Sequence, residues 1–161
     1  MIIIAGLDCR QASHLVESFQ PIENDVLDSE YSDFATEEMP MILWKIFQDD
    51  FELYKKIAEN QKLNIWLRMA ALEGIINNVL NNIFTREKAI DYFRHLLANG
   101  PDMSIDCITP VVNSAFDIYP MELMEEIKSK FQEGLVDPAG TSYREFEEAL
   151  DTPIESHLDT I

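Results

Sequence analysis

Few side chains in this sequence stand at a spacing that chemistry could use. The histidines are His14, His95 and His157, far apart along the chain. Asp91 and His95 are four residues apart, so one helix would put a carboxylate and an imidazole on the same face. Such a pair can hold a metal ion, but zinc and iron sites need three or four ligands, so the pair reads as two surface neighbours. Cys9 and Cys107 are also distant. A structural zinc site draws its Cys and His from close pairs, and none exists here. Neither cysteine, nor any serine, lies in a motif that would make it a nucleophile. No Gly-rich phosphate loop is present. We therefore expect no catalytic residue, no cofactor and no metal.

Other residues suit contact better than catalysis. Asn77, Asn78, Asn81 and Asn82 would set four amides on one helix surface, able to bond a peptide backbone or simply to face water. Arg68, inside an apolar helix, is expected to pair with an acid from a neighbouring helix. Met39, Met41, Met69, Met121 and Met124 lie on apolar faces and read as core filling.

Composition narrows the classes. The chain has 161 residues, enough for one domain with a real core, and 47% are hydrophobic. Thirty acids against twelve bases give a formal charge of −18. Binding along a phosphate backbone needs clustered Lys and Arg, so a general nucleic-acid binder is excluded. The charge is uneven: −8 over residues 1–40, +1 over 41–99 and −11 over 100–161. Acidic ends promote solubility and attract basic partners. No apolar run is long enough to span a membrane. The start, Met1 to Cys9, has the outline of a lipoprotein leader, but no Lys or Arg precedes its short apolar stretch. A structured N-terminal segment in a reducing cytoplasm is the expectation.

The apolar spacing predicts helices almost throughout. Ala12, Leu15, Val16 and Phe19 form one face, with Asp8 as cap. Thr36 caps a helix carrying Met41, Leu43, Trp44, Ile46 and Phe47; Asp49 or Asp50 restarts one with Phe51, Leu53, Tyr54, Ile57 and Ala58. Asn64 caps a long stripe from Ile65 through Met69, Leu72, Ile76 and Val79 to Ile83. Thr85 caps a helix with Ala89, Ile90, Phe93, Leu96 and Leu97, closed at Asn99-Gly100 in left-handed fashion. Ser104 opens another, with a kink or break expected at Pro110. Pro120 takes the first position of the next, which Gly134 closes. Ser142 and Glu145 form a capping box for a last helix over about 142–150. Ile2 to Ala5 is the sole strand candidate and too short to found a sheet. The expected core includes Trp44, Phe47, Leu72, Ile76, Phe93, Leu97, Phe116, Ile127 and Phe131.

Two stretches align without gaps at an offset of 34: Thr85–Gly100 and Tyr119–Gly134. Ala89 pairs with Leu123, Ile90 with Met124, Phe93 with Ile127, and Leu97 with Phe131. Asp91 pairs with Glu125 and Arg94 with Lys128. Three helix pairs, at about 36–60, 64–99 and 104–134, would give the period of an α-solenoid, in which each pair buries its face on the next. The stretch IWLRMAALEGI, Ile65 to Ile75, resembles the first helix of a HEAT repeat. The run from Phe116 to Pro138 and the closing REFEEAL, Arg144 to Leu150, are similar to a bacterial HEAT-like family of unknown function. So are Thr36 to Pro40 and the His14–Phe19 helix. The resemblance covers residues 10–150. It implies an all-α fold, a short α-solenoid of about three HEAT-like pairs with N- and C-terminal capping helices. Many members of the family it resembles end in a zinc-binding SEC-C motif; this sequence shows no such cluster before Ile161. The His-Glu dipeptide of HEAT-type iron hydroxylases is missing too.

We therefore expect a single domain over 1–150 and a flexible acidic tail over 151–161. The expected function is a non-enzymatic module that offers a concave helical face to a protein partner. Two other classes are an acidic mimic that inhibits a nucleic-acid-binding protein, and an enzyme like the HEAT-type bilin lyases. The second helices of the pairs should line the concave face. Removing their apolar positions leaves Lys55, Lys56, Asp91, Arg94, Glu125 and Lys128 facing outward, with Arg94 beside Lys128 and Asp91 beside Glu125. These rows of opposite charge suit a mixed protein surface, unless they merely pair with one another.

Overall fold

The computed structural model of the chain describes residues 39–47 and 49–158. The Asp8-capped helix, the Ile2–Ala5 segment, Cys9, His14 and the Thr36 cap lie outside the described residues, as do residues 159–161. Among the described residues there are eight α-helices and no strand. They are α1 (Met39–Phe47), α2 (Phe51–Ala58), α3 (Ile65–Leu80), α4 (Arg86–Asn99), α5 (Ile105–Asp117), α6 (Met124–Gln132), α7 (Tyr143–Ala149) and α8 (Ile154–Leu158). A 3₁₀ turn, Met121–Leu123, leads into α6. Among the described residues, no helix is long and apolar enough to cross a membrane. The chain divides into two compact units, one ending at Asn78 and the other beginning at Val79.

In the first unit, the Asp50 carboxylate accepts from the Leu53 N–H and starts α2. Asn64 does the same for α3 through the Trp66 N–H, at 2.9 Å. Leu43, Phe47, Phe51, Tyr54, Ile57, Leu72, Ile75 and Ile76 are buried, while Trp44 is half-buried. Tyr54 is wholly buried although it carries a hydroxyl, and α3 makes a place for it. A Cβ on Gly74 would come within 2.4 Å of the Tyr54 ring. One turn on, Asn78 donates to the Tyr54 oxygen at 3.1 Å and to the Gly74 carbonyl at 2.8 Å. Tyr54 in turn donates to the Leu43 carbonyl. Burial pushes its phenol up to about 12, so the group stays a donor. Asn78 thus points inward, away from Asn81 and Asn82, which are exposed, and the four amides do not share one surface. Arg68 is buried and its Nε donates to the Ala58 carbonyl at the end of α2.

In the second unit, the Thr85 hydroxyl caps α4, and Ala89, Ile90, Phe93, Leu96 and Leu97 are buried as their spacing predicts. Helix α4 packs on both α5 and α6, and α6 packs on α7. Ile127 is fully buried, whereas Phe116 and Phe131 are half-buried. Gly134 does close α6 with a left-handed residue at φ +72°. The Leu135 N–H reaches the Lys130 carbonyl and the Gly134 N–H the Phe131 carbonyl. The Glu145 carboxylate accepts from the Ser142 N–H at 2.7 Å, as the capping motif implies.

Several local expectations need correction. Gly100 is extended, not left-handed, with φ −58° and ψ 153°. Its glycine is required by space, because a Cβ would meet the Leu96 carbonyl at 2.5 Å. Pro110 does not break α5. Ile108, Val111, Val112 and Ala115 are buried around it, and that packing outweighs the lost backbone bond. Pro120 precedes the 3₁₀ turn and does not begin α6. The apolar stripe of α3 stops at Val79, since the helix ends at Leu80, Asn82 turns left-handed at φ 58°, and Ile83 is 44% exposed. Of the methionines, Met39 is buried, but Met41 and Met121 are 46% and 56% exposed and fill no core. Residues 151–158, expected as the start of the acidic tail, include α8, and its His157 is buried.

Replacing Gly74 with Ala should destabilise the protein despite the better helix propensity of alanine. The hydroxyl of Tyr54 is bonded on both sides and cannot swing away. We expect a loss of about 1–3 kcal/mol in urea unfolding, partly restored when Tyr54 is shortened to Leu in the same chain.

Candidate functional site

Arg86, Arg94 and Glu122 of the second unit converge on the connection between α5 and α6. That connection turns the chain sharply, with Tyr119 in the left-handed region at φ 66°, a costly conformation for a residue with a Cβ. The turn directs the carbonyls of Ile118 and Tyr119 at Arg86, the first residue of α4. Arg86 Nε donates to the Ile118 carbonyl at 2.6 Å, and Nη2 donates to the Tyr119 carbonyl. The same guanidinium holds both oxygens of Glu122, with Nη1 to Oε1 at 2.7 Å. Its carbon also lies 5.9 Å from the centre of the Tyr119 ring. These bonds hold the Glu122 carboxyl below the usual carboxylate range.

Two turns along α4, Arg94 repeats the grip. Its Nε donates to Glu126 at 3.1 Å, Nη2 to the Glu122 carbonyl at 2.9 Å, and Nη1 to Asp91 at 2.9 Å. Both arginines reach forward along α6 as they advance along α4, so the two helices run side by side in the same sense.

The six residues expected to face outward are placed as follows. Lys55 and Lys56 belong to the first unit, on α2; Lys55 pairs with Glu52 at 3.3 Å and Lys56 is exposed. Asp91, Arg94, Glu125 and Lys128 belong to the second. Asp91 is exposed, its side chain 78% accessible, and it touches Arg94 as two residues on one helix can. Arg94 turns into the seam between α4 and α6, with Glu126 as its partner across the helices. Lys128 is exposed, its Nζ 5.8 Å from the centre of the Tyr143 ring. Glu125 is exposed on α6. His95 is exposed, and Asp91 is engaged with Arg94. Among the described residues, no three of His, Cys, Asp and Glu are grouped to hold a metal ion. Cys107 is a buried free thiol that donates to Asp102 at 2.9 Å.

Sequence reasoning passed over Arg86. One signal was available: a cation in the first turn of a helix opposes the helix dipole, so it needs a partner elsewhere. His157 was also missed. Its Nε2 lies 2.8 Å from the Phe116 carbonyl, which can only accept, so Nε2 carries the proton and donates. Its ring meets those of Phe116 and Tyr119 edge to face, at 5.3 and 5.5 Å. Asp117 is half-buried nearby. Burial pushes its carboxyl from 3.8 up to about 6, against the opposing attraction of His157.

Over residues 1–161, the sequence matches the family described as "Protein of unknown function (DUF1186)". The chain belongs to the DUF1186 family. It is 27% identical over 169 residues to an uncharacterized protein of Chlamydia trachomatis serovar D, covering 99% of this chain and 66% of the relative. It is 26% identical over 166 residues to an uncharacterized protein of Chlamydia muridarum, covering 100% of this chain and 65% of the relative. This DUF1186 chain thus spans about two thirds of the length of the curated relatives it matches. No solved structure matches it.

Two predictions follow from the α5–α6 connection of this DUF1186 protein. Arg86→Ala should cost about 2–4 kcal/mol in urea unfolding, because it leaves two carbonyls and a carboxylate without their donor. Arg86→Lys should recover less than half of that, since one ammonium cannot bond three acceptors as a planar fork does. Asp117 generates the second. Its folded form binds a proton more readily than the unfolded chain does, so its contribution favours folding at low pH and is lost as pH rises through about 6. Asp117→Asn should therefore gain on the parent protein in urea midpoint as pH is raised from about 4 to about 7. A difference that stays constant with pH would show that Asp117 is not the group responsible.

Proposed function

We propose that this chain is a non-enzymatic protein–protein interaction module, built as a short HEAT-like stack, that presents the outer faces of α4 and α6 to a protein partner. The stacking is supported by α4 and α6 lying side by side in the same sense, as equivalent helices of successive repeats do. The function rests on one observation. Arg86 and Arg94 lock the helices together, and Asp91, Glu125 and Lys128 remain projecting from the locked pair. Asp91 and Glu125 occupy equivalent places, one repeat apart. A fixed pattern of charge on a rigid frame lets binding proceed with little ordering of the surface.

A photo-crosslinking residue at Gln132, exposed one turn beyond Lys128 on α6, tests the reading. In the cells that make the protein, we expect one discrete protein adduct. Reversing Asp91 and Glu125 to Lys should abolish it and weaken binding of the purified partner about tenfold or more, with the melting temperature unchanged. An adduct that persists in the folded double variant, or none at all, would defeat the proposal. If duplex DNA competes with the partner for the same site, the acidic-mimic reading gains instead.

A further inference from the structure

Helices α7 and α8 both close over the end of the second unit, but they are held by different means. Helix α7 is anchored by Phe146, fully buried, whose ring meets Phe116 at 5.1 Å and Phe131 at 6.0 Å. Its last turn leads to the Leu150 carbonyl, which faces the Tyr119 hydroxyl at 3.5 Å. Helix α8 is five residues long and follows a turn at Asp151–Thr152 and then Pro153. Its one buried side chain is His157; Ile154 and Leu158 are half-buried, and Glu155 and Ser156 are exposed. A helix this short has no stability of its own in water, because nucleation costs more than one turn of bonds returns. Its existence therefore depends on the seating of His157.

The seat itself is rigid. Phe116 closes the last turn of α5, and the Tyr119 backbone is held by Arg86. We propose that α8 is a strap that opens and closes as a unit over this seat while α4 to α7 stay folded. When closed, His157 Nε2 donates to the Phe116 carbonyl and its ring lies between those of Phe116 and Tyr119. When open, the strap uncovers both rings and the Asp117 carboxyl. A one-turn helix seated through a polar side chain belongs to the least stable part of a fold, whereas the buried phenylalanine of α7 belongs to its core.

Residue-resolved amide exchange on the full chain tests this. The His157 amide, bonded to the Pro153 carbonyl, should exchange about tenfold or more faster than those of Val112 and Ile127. Its rate should be indifferent to low urea concentrations that accelerate global unfolding. His157→Ala should speed exchange in α8 further and leave Val112 and Ile127 unchanged. The proposal is overturned if the wild-type His157 amide exchanges at the rate and with the urea dependence of Val112. It is equally overturned if His157→Ala accelerates Val112 and Ile127 as much as α8, which would make the histidine part of the core.

Discussion

The second unit depends on one guanidinium. The chain must turn between α5 and α6 in a few residues, and it does so by putting Tyr119 at a positive φ and turning two carbonyls away from any helix. Buried carbonyls without donors cost free energy comparable to a lost hydrogen bond. Arg86 supplies both bonds from α4, and its remaining donors take the Glu122 carboxylate. A planar five-donor group is suited to this, since it bonds several acceptors in one plane without further loss of side-chain freedom. Three consequences follow. Helices α4 and α6 are tied at the same end. The Glu122 carboxyl is held below the usual carboxylate range by its bonds to Arg86. The Tyr119 ring is set where it can meet His157.

Features that rest on neighbours in sequence were legible, and features that rest on distant partners were not. Asp50, Asn64 and Thr85 cap helices because an acceptor two or three residues ahead of free N–H groups is a local fact. Gly134 closes α6 for a similar reason. The Asn-Gly pair at 99–100 carries the same signal, yet Gly100 is extended; what demands glycine there is the approach of the Leu96 carbonyl, which no spacing reveals. Pro110 is a helix breaker by local rules, and the buried side chains around it prevail. The apolar phase of α4 was readable down to Phe93 and Leu97, both fully buried.

The candidate face was only partly legible for the same reason. The offset of 34 places Arg94 opposite Lys128 and Asp91 opposite Glu125 in sequence. Space puts Arg94 against Glu126 and the Glu122 carbonyl instead. A repeat alignment says which residues are equivalent; equivalent residues on adjacent parallel helices are not each other's partners when long side chains lean along the axis. Inward polar groups were likewise hidden. Asn78 sits in an amide-rich run that looks solvated, and its burial follows from the Gly74 notch that admits Tyr54.

These pairings also determine what a partner would meet. Within residues 79–158 every cation is engaged. Arg86, Arg94, Lys130 and Arg144 pair with carboxylates, and Lys88 and Lys128 lie over the rings of Phe84 and Tyr143. Arg86 is the most enclosed of these arginines and Arg94 is half-buried beside it, and neither can turn outward without releasing its hold on the α5–α6 connection, whereas Arg144 is exposed on α7. Carboxylates outnumber the cations, so the surplus charge is carried by exposed acids such as Glu125. Lys88 and Lys128 differ from Arg86 and Arg94, since both are exposed and each lies over a ring, an attraction of about 0.5–1 kcal/mol at such a site. A nucleic-acid mimic would gain from a row of carboxylates free of positive charge. On the proposed reading, a face that keeps a lysine within one turn of Glu125 would offer a partner both signs, and discrimination between protein surfaces would benefit from that, because a partner with the wrong order of charges is repelled as well as unmatched.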